Sequence, residues 1–158
     1  MNGPDDDLIR SVKELAYCAG YIDADGSIFI TRQRRKNRYQ FAPVVQAASA
    51  NLAVLEHLRR VLGGSVCDFN PKSGAKRQYR MWMWTVTGQA AVYVAKLLLP
   101  YLQIKREQAK CLAQFPYGAG RGRRLPDEIQ RERQRLYDLC RLQTRINNYT
   151  QRKEKRQP

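Results

Sequence analysis

The stretch LAYCAGYIDADGSIFI, residues 15–30, limits what this chain can become more than any other segment does. Its first part repeats small residues at helical spacing: Ala16, Gly20 and Ala24 recur every four positions, with Ala19 beside them. Small side chains in that register let two helix backbones approach closely, a device best known from membrane helices but geometric in origin. Its last part alternates as a strand does, with Ile28 and Ile30 on one face and Phe29, Thr31 and Gln33 on the other. Between the two lie Asp23, Asp25 and Gly26, and the glycine supplies the helix stop. A helix over 8–23, preceded by the cap candidates Asp5 to Asp7, therefore hands the chain to a strand over 27–35. Two acids sit at that junction. Asp-x-Asp-Gly is also a common turn composition, so the local sequence leaves open whether they are chemical or conformational.

The rest of the pattern is regular. Arg34 to Arg38 form a basic turn and 39–48 a second strand. A helix over 52–62 carries Leu52, Leu55, Leu58 and Leu62 at helical spacing behind the cap residue Asn51. Gly63 and Gly64 end it and open a third strand through Phe69. After the polar turn NPKSGAKRQ, a fourth strand sets Trp82, Trp84 and Val86 on one face and Tyr79, Met81, Met83 and Thr85 on the other. Helices follow over 89–99 and 105–115. Beyond the loop PYGAGRGRRLP, a helix over 126–147 has an apolar stripe of Ile129, Leu136, Leu139, Leu142 and Ile146. The order αββαββα plus C-terminal helices is an α+β fold, a four-stranded antiparallel sheet with helices on one face. One domain is expected over 8–150, with polar tails at 1–7 and 151–158.

Composition then narrows the partner. Lys and Arg number 29 against 14 Asp and Glu, a net charge of +15, which points to a polyanion and to nucleic acid first. No run of 18 apolar residues is present, and residues 1–7 are polar, so neither a membrane span nor a secretory signal is expected, and an intracellular site is. Organelle, bacterial and phage origins stay open. Cys18, Cys67, Cys111 and Cys140 form no CxxC pair and His57 is the single histidine, which argues against a zinc site and for buried free thiols. The uncovered sheet face would present Phe29, Thr31, Gln33, Arg35, Gln40, Tyr79, Met81 and Met83. Arg38, Lys72, Lys76 and Arg77 stand near the hairpin tips. With this charge, a DNA-reading surface is favoured over a merely solvated face. Trp82 and Trp84 read as core, and for Arg121, Arg123 and Arg124 the net charge favours phosphate contact over a solvated loop.

Phosphodiester hydrolysis needs an activated water and a stabilised leaving oxygen, which carboxylate-held divalent metals supply. Magnesium is usually held by only one or two carboxylates. If the first helix pairs with its copy, two Asp25 side chains meet near the two-fold axis, and divalent cations relieve their repulsion.

Residues Cys18 to Gly26, CAGYIDADG, resemble the LAGLIDADG signature that names a family of homing endonucleases, with seven of nine positions matching. Cys18 and Tyr21 replace leucines. NLAVLEHLRRVLGGSV (51–66), WTVTG, LLPYLQIKREQA (98–109) and LPDEIQRERQRLYDLCRLQ are similar to later segments of the same family. The resemblance implies Asp25 as the metal-binding catalytic acid, Ala24 as a carbonyl metal ligand, Asp23 as a supporting acid and Lys105 as the lysine that polarises the site. Gln46 and Ser49 compete for the residue that orders water, with Gln46 preferred. Only one motif is present, which implies a homodimer on a near-palindromic double-stranded DNA target, with Ala16, Ala19, Gly20 and Tyr21 at the helix contact. Mg2+ is the expected cofactor, Mn2+ substituting and Ca2+ supporting binding without cleavage. No small-molecule cofactor and no membrane partner are expected. The implied reaction is a double-strand break with short 3′ overhangs. An RNA-splicing maturase or a non-cleaving DNA-binding regulator on the same fold is the alternative.

Overall fold

Gly26 is the point at which helix becomes strand in the computed structural model, which describes residues 4–36, 38–69, 80–117 and 125–154. Helix α1 (Pro4–Asp25) is followed without a loop by β1 (Gly26–Arg35). A Cβ at Gly26 would lie 2.8 Å from Ile22 Cα and 2.9 Å from Ile22 O, so the turn is too tight for any side chain. α1 starts earlier than the expected 8, at Pro4, where a proline's missing N–H costs the helix nothing.

Strand β2 (Arg38–Ser49) pairs antiparallel with β1 from Arg35↔Arg38 to Gly26↔Ala47. Helix α2 (Leu52–Leu62) begins where Asn51 Oδ1 accepts from Ala53 N–H at 3.0 Å. β3 (Ser65–Asp68), β4 (Trp82–Thr87), α3 (Gln89–Leu98), α4 (Arg106–Ala113) and α5 (Asp127–Glu154) complete the chain. The sheet order is β1-β2-β4-β3, every neighbouring pair antiparallel. The helices lie against one face of the sheet. Ile28, Ile30, Val45, Ala47, Trp84 and Val86 point into them and join Leu55, Leu58, Leu98 and Leu112 in one core. Fully buried Trp84 also closes α2, its indole N–H donating to Gly63 O at 2.8 Å.

The α+β order, the sheet and the helix-covered face agree with the sequence reading. Three details do not. Cys67 is exposed, because β3 turns it onto the open face, while Cys18, Cys111 and Cys140 are buried. α5 runs on to Glu154, and its inner face is Arg133, Leu136 and Cys140; Leu142 and Ile146 are 51% and 47% exposed. Arg133 takes an inner position because its guanidinium stacks on Phe115 and Tyr117 and donates twice to Pro116 O, at 3.0 and 2.9 Å. Ala19, placed above at a helix contact, is fully buried in the core beside Cys18 and Ile22.

Candidate active site

The junction delivers two carboxylates in opposite directions. Asp23 is buried, and Ala24 and Asp25 are exposed. Asp23 Oδ2 accepts from Gln103 N–H at 2.7 Å and Ile104 N–H at 3.2 Å, and its Oδ1 accepts from Lys105 N–H at 2.9 Å. These N–H groups belong to the bend 103–105 that leads into α4, whose N-cap residue, Lys105, makes no side-chain cap. Asp23 therefore fixes the segment that leads into a helix some 80 residues away in sequence, with its charge close to the positive helix end. Sequence reasoning left it as a supporting acid.

The same contact fixes Lys105. Its Nζ donates to the Asp23 carbonyl oxygen, so backbone and side chain are both held. Burial pushes the Lys105 ammonium below the ordinary lysine value, and the carboxylates of Asp23 and Asp25 pull it back up. Asp25 thus acts on Lys105 electrostatically while its own side chain stays open to solvent.

α1 ends with no basic residue in its last turn. Free carbonyls at a helix C-terminus carry partial negative charge, and the Asp25 carboxylate adds to it. Such an end favours a hard cation held by oxygen, and a carboxylate with the Ala24 carbonyl is a donor set that suits magnesium. Among the described residues, no group of three or more His, Cys, Asp or Glu converges as a metal site. One chain therefore brings a single exposed carboxylate to this point.

The open sheet face begins beside Asp25. Ser27 pairs with Gln46, and Gln46 with Thr85. Ser49 lies on the helix side, where its Oγ accepts from Asn51 N–H at 3.0 Å. Gln46 is thus the one of the two that lies on the open sheet face. Moving outward, Phe29 and Thr31 are half-buried, and Gln33, Arg35, Arg38 and Gln40 are exposed. Thr31 has its hydroxyl committed to Ala42 O at 3.1 Å. Met81 and Met83 are half-buried at the other side of the face. Lys72, Lys76, Arg77, Tyr79, Arg121, Arg123 and Arg124 lie outside the described residues.

A family model described as LAGLIDADG endonuclease matches residues 18–106. The chain belongs to the LAGLIDADG endonuclease family. It is 32% identical over 110 residues to the DNA endonuclease I-CvuI of Chlorella vulgaris, covering 65% of this chain and 63% of that protein. It thus spans a little under two thirds of that relative's length. A crystal structure of the homing endonuclease I-CvuI, in complex with its target in the presence of calcium, matches with a TM-score of 0.67 and 25% identity over 85% of this chain and 84% of that one. An archaeal intron-encoded homing endonuclease complexed with DNA, I-Vdi141I, shares the fold with a TM-score of 0.53 at 15% identity, over 80% of this chain and 98% of that one.

The LAGLIDADG signature divides between two sides of α1. Cys18, Ala19 and Ile22 pack inward, and Tyr21 is half-buried against the same core. Ala16, Gly20 and Ala24 face out, with exposed Val12 and Tyr17 nearby. A Cβ at Gly20 would meet nothing within 4 Å. The outward stripe of small residues is therefore intact once Ala19 is removed from it, and Val12 and Tyr17 join that side. No helix among the described residues is long and apolar enough to cross a membrane.

Proposed function

We propose that the chain is a site-specific DNA endonuclease that works as a homodimer and makes a Mg2+-dependent double-strand break. The observation that carries this reading is the exposed Asp25 carboxylate, at the negative end of α1, beside Lys105 and at the inner edge of the open sheet face.

β1 and β2 have 10 and 12 residues, about 35–40 Å at roughly 3.4 Å per residue. That length is close to one turn of B-DNA, and a two-stranded ribbon fits the major groove, where base edges are distinguishable. Gln33, Gln40, Arg35 and Arg38 are the side chains able to reach bases and phosphates from it. The charge of +15 supplies the sequence-independent attraction.

Each chain brings one exposed carboxylate, so pairing of α1 helices through Ala16, Gly20 and Ala24 assembles two at the two-fold axis. Asp25 and the Ala24 carbonyl would hold the metal, which when bound activates water and stabilises the leaving oxygen. Lys105 supplies a fixed positive charge to the developing phosphate charge, at a place where partial burial strengthens its field. Gln46, on the open face next to Ser27, orients the water. Cleavage across the minor groove with short 3′ overhangs follows from the family resemblance.

The test is Asp25→Asn, with binding and cleavage measured separately on the same DNA. Binding in calcium is expected to persist while cleavage in magnesium disappears. Cleavage by Asp25→Asn at the parent rate would refute the mechanism, and binding without cleavage by the parent chain would favour a non-cleaving regulator.

A further inference from the structure

Arg32 lies on the same side of β1 as the buried Ile28 and Ile30, so it projects toward the helices and away from the open sheet face. There it meets α5. Its guanidinium carbon stands 4.7 Å from the ring centre of Tyr39 on β2 and 4.8 Å from that of Tyr137 on α5. Its Nη1 donates to Gln134 Oε1 at 3.5 Å, and Gln134 is itself oriented by donating from Nε2 to Asp138 Oδ2 at 2.9 Å. Two more contacts join the same elements: Gln130 Nε2 donates to Tyr39 O at 2.6 Å, and the rings of Phe41 and Tyr137 lie 5.8 Å apart. Stacking and charge together commit the guanidinium to the two rings.

The pairing register shows what this clamp supports. Arg32 pairs with Phe41 and Arg34 with Tyr39, and between those pairs stands Gln33 opposite Gln40. Side chains alternate along a strand, so both glutamines emerge on the open face directly across from the clamp, and both are exposed. The pairing of β2 with β4 stops at Val44↔Thr87, whereas β2 runs on to Arg38 with β1 alone. A two-stranded ribbon is marginal by itself and gains stability by packing on a helix. α5 gives that support where β4 does not.

We propose that Arg32 is a positioning residue for sequence recognition: it clamps the outer part of the β1–β2 hairpin onto α5 and so holds Gln33 and Gln40 in place on the open face. The inference rests on that face reading DNA, as proposed above. A hairpin released from the clamp has to be ordered when the specific complex forms, whereas loose non-specific contact makes no such demand. Two exposed cation–π contacts set the size of that cost, roughly 5- to 30-fold in affinity.

The experiment measures binding by the full chain in calcium to two probes: the duplex that the parent protein enriches from a random-sequence library, and a scrambled duplex of the same composition. Arg32→Met is expected to lose roughly 5- to 30-fold in affinity for the selected duplex and less than about threefold for the scrambled one. Partial unfolding would lower both affinities in the same ratio, so the ratio reports positioning. The slope of log Kd against log salt on the scrambled duplex is expected to change by less than half of the ~0.9 that each lost phosphate contact removes. Tyr137→Leu is expected to show the same selective loss, and Tyr137→Phe, which keeps the ring, to match the parent. The double variant Arg32→Met/Tyr137→Leu is expected to lose no more than the larger single loss, because both changes open one clamp. Parent-like discrimination by Arg32→Met overturns the proposal. So does a salt slope shallower by about 0.9 for each Arg32 removed, which would make Arg32 a phosphate contact, and so do additive losses in the double variant. A parent protein that enriches no duplex overturns the reading of the sheet face as DNA-binding, and the role of Arg32 with it.

Discussion

Replacing Asp23 by alanine tests the link between the signature helix and the start of α4. The substitution strands the N–H groups of Gln103, Ile104 and Lys105, now bonded at 2.7, 3.2 and 2.9 Å. Loss of an ordinary intramolecular hydrogen bond costs about 0.5–1.5 kcal/mol. A buried donor left unpaired costs about 1–3 kcal/mol. Gln103 and Ile104 are exposed enough for water to replace part of what is lost, and Lys105 is half-buried. The sum is therefore about 2–4 kcal/mol rather than three full penalties, with the helix-end charge interaction included. For a chain of this size that lowers the melting temperature by roughly 5–15 °C. Asp23→Asn keeps one accepting oxygen but turns an NH2 toward an N–H, so it should lose about half as much. Thermal and urea melts at one fixed protein concentration measure both, since association contributes to apparent stability. An Asp23→Ala protein that melts within about 1 °C of the parent would refute the assignment of Asp23 as the anchor of segment 103–105. So would an asparagine variant less stable than the alanine one.

Other outcomes follow from the same geometry. Gly20→Leu adds a side chain where nothing lies within 4 Å, so the protomer should keep its fold while sedimentation shows a monomer in place of a dimer; an unchanged dimer rules out pairing through this face of α1. The two glycines after α2 should differ. Gly63→Ala faces open space at φ +76 and should cost about 1–2 kcal/mol, whereas Gly64→Ala, at φ +89 with a Cβ 2.6 Å from Val86 Cγ2, should cost about 2–4 kcal/mol; urea melts in the reverse order would contradict the packing. Of the four cysteines, only Cys67 is exposed, so a thiol reagent should titrate one group per native chain and four after denaturation; two or more rapid native reactions would contradict the burial of Cys18, Cys111 and Cys140.

What was legible in the sequence differs from element to element. The leucine repeat and Asn51 define α2 residue for residue, because cap, periodicity and glycine stop all act locally. α5 is legible in type but not in face. A hydrophobic count cannot see that Arg133 is drawn inward by two aromatic rings and a carbonyl, or that Leu142 and Ile146 are left outside. The strand alternation gives the two faces of the sheet, and Cys67 fails only because a short cysteine-containing strand was read by residue type rather than by register. At the site, Asp25 and Lys105 are legible through the signature and its later companion segment. The bonds that bring them together are not, since the groups that Asp23 holds lie 80 to 82 positions away.

The reach of Asp23 bears on how chains of this architecture can be recombined. A hybrid with its crossover between α3 and α4 would inherit the signature helix from one parent and the segment 103–105 from the other. Each half could be sound alone, yet the inward acid would face backbone amides whose spacing was set against a different helix. Exchange upstream of α1 or downstream of α4 keeps the two together. The portable unit is therefore not the nine-residue signature but the signature with the loop that it holds.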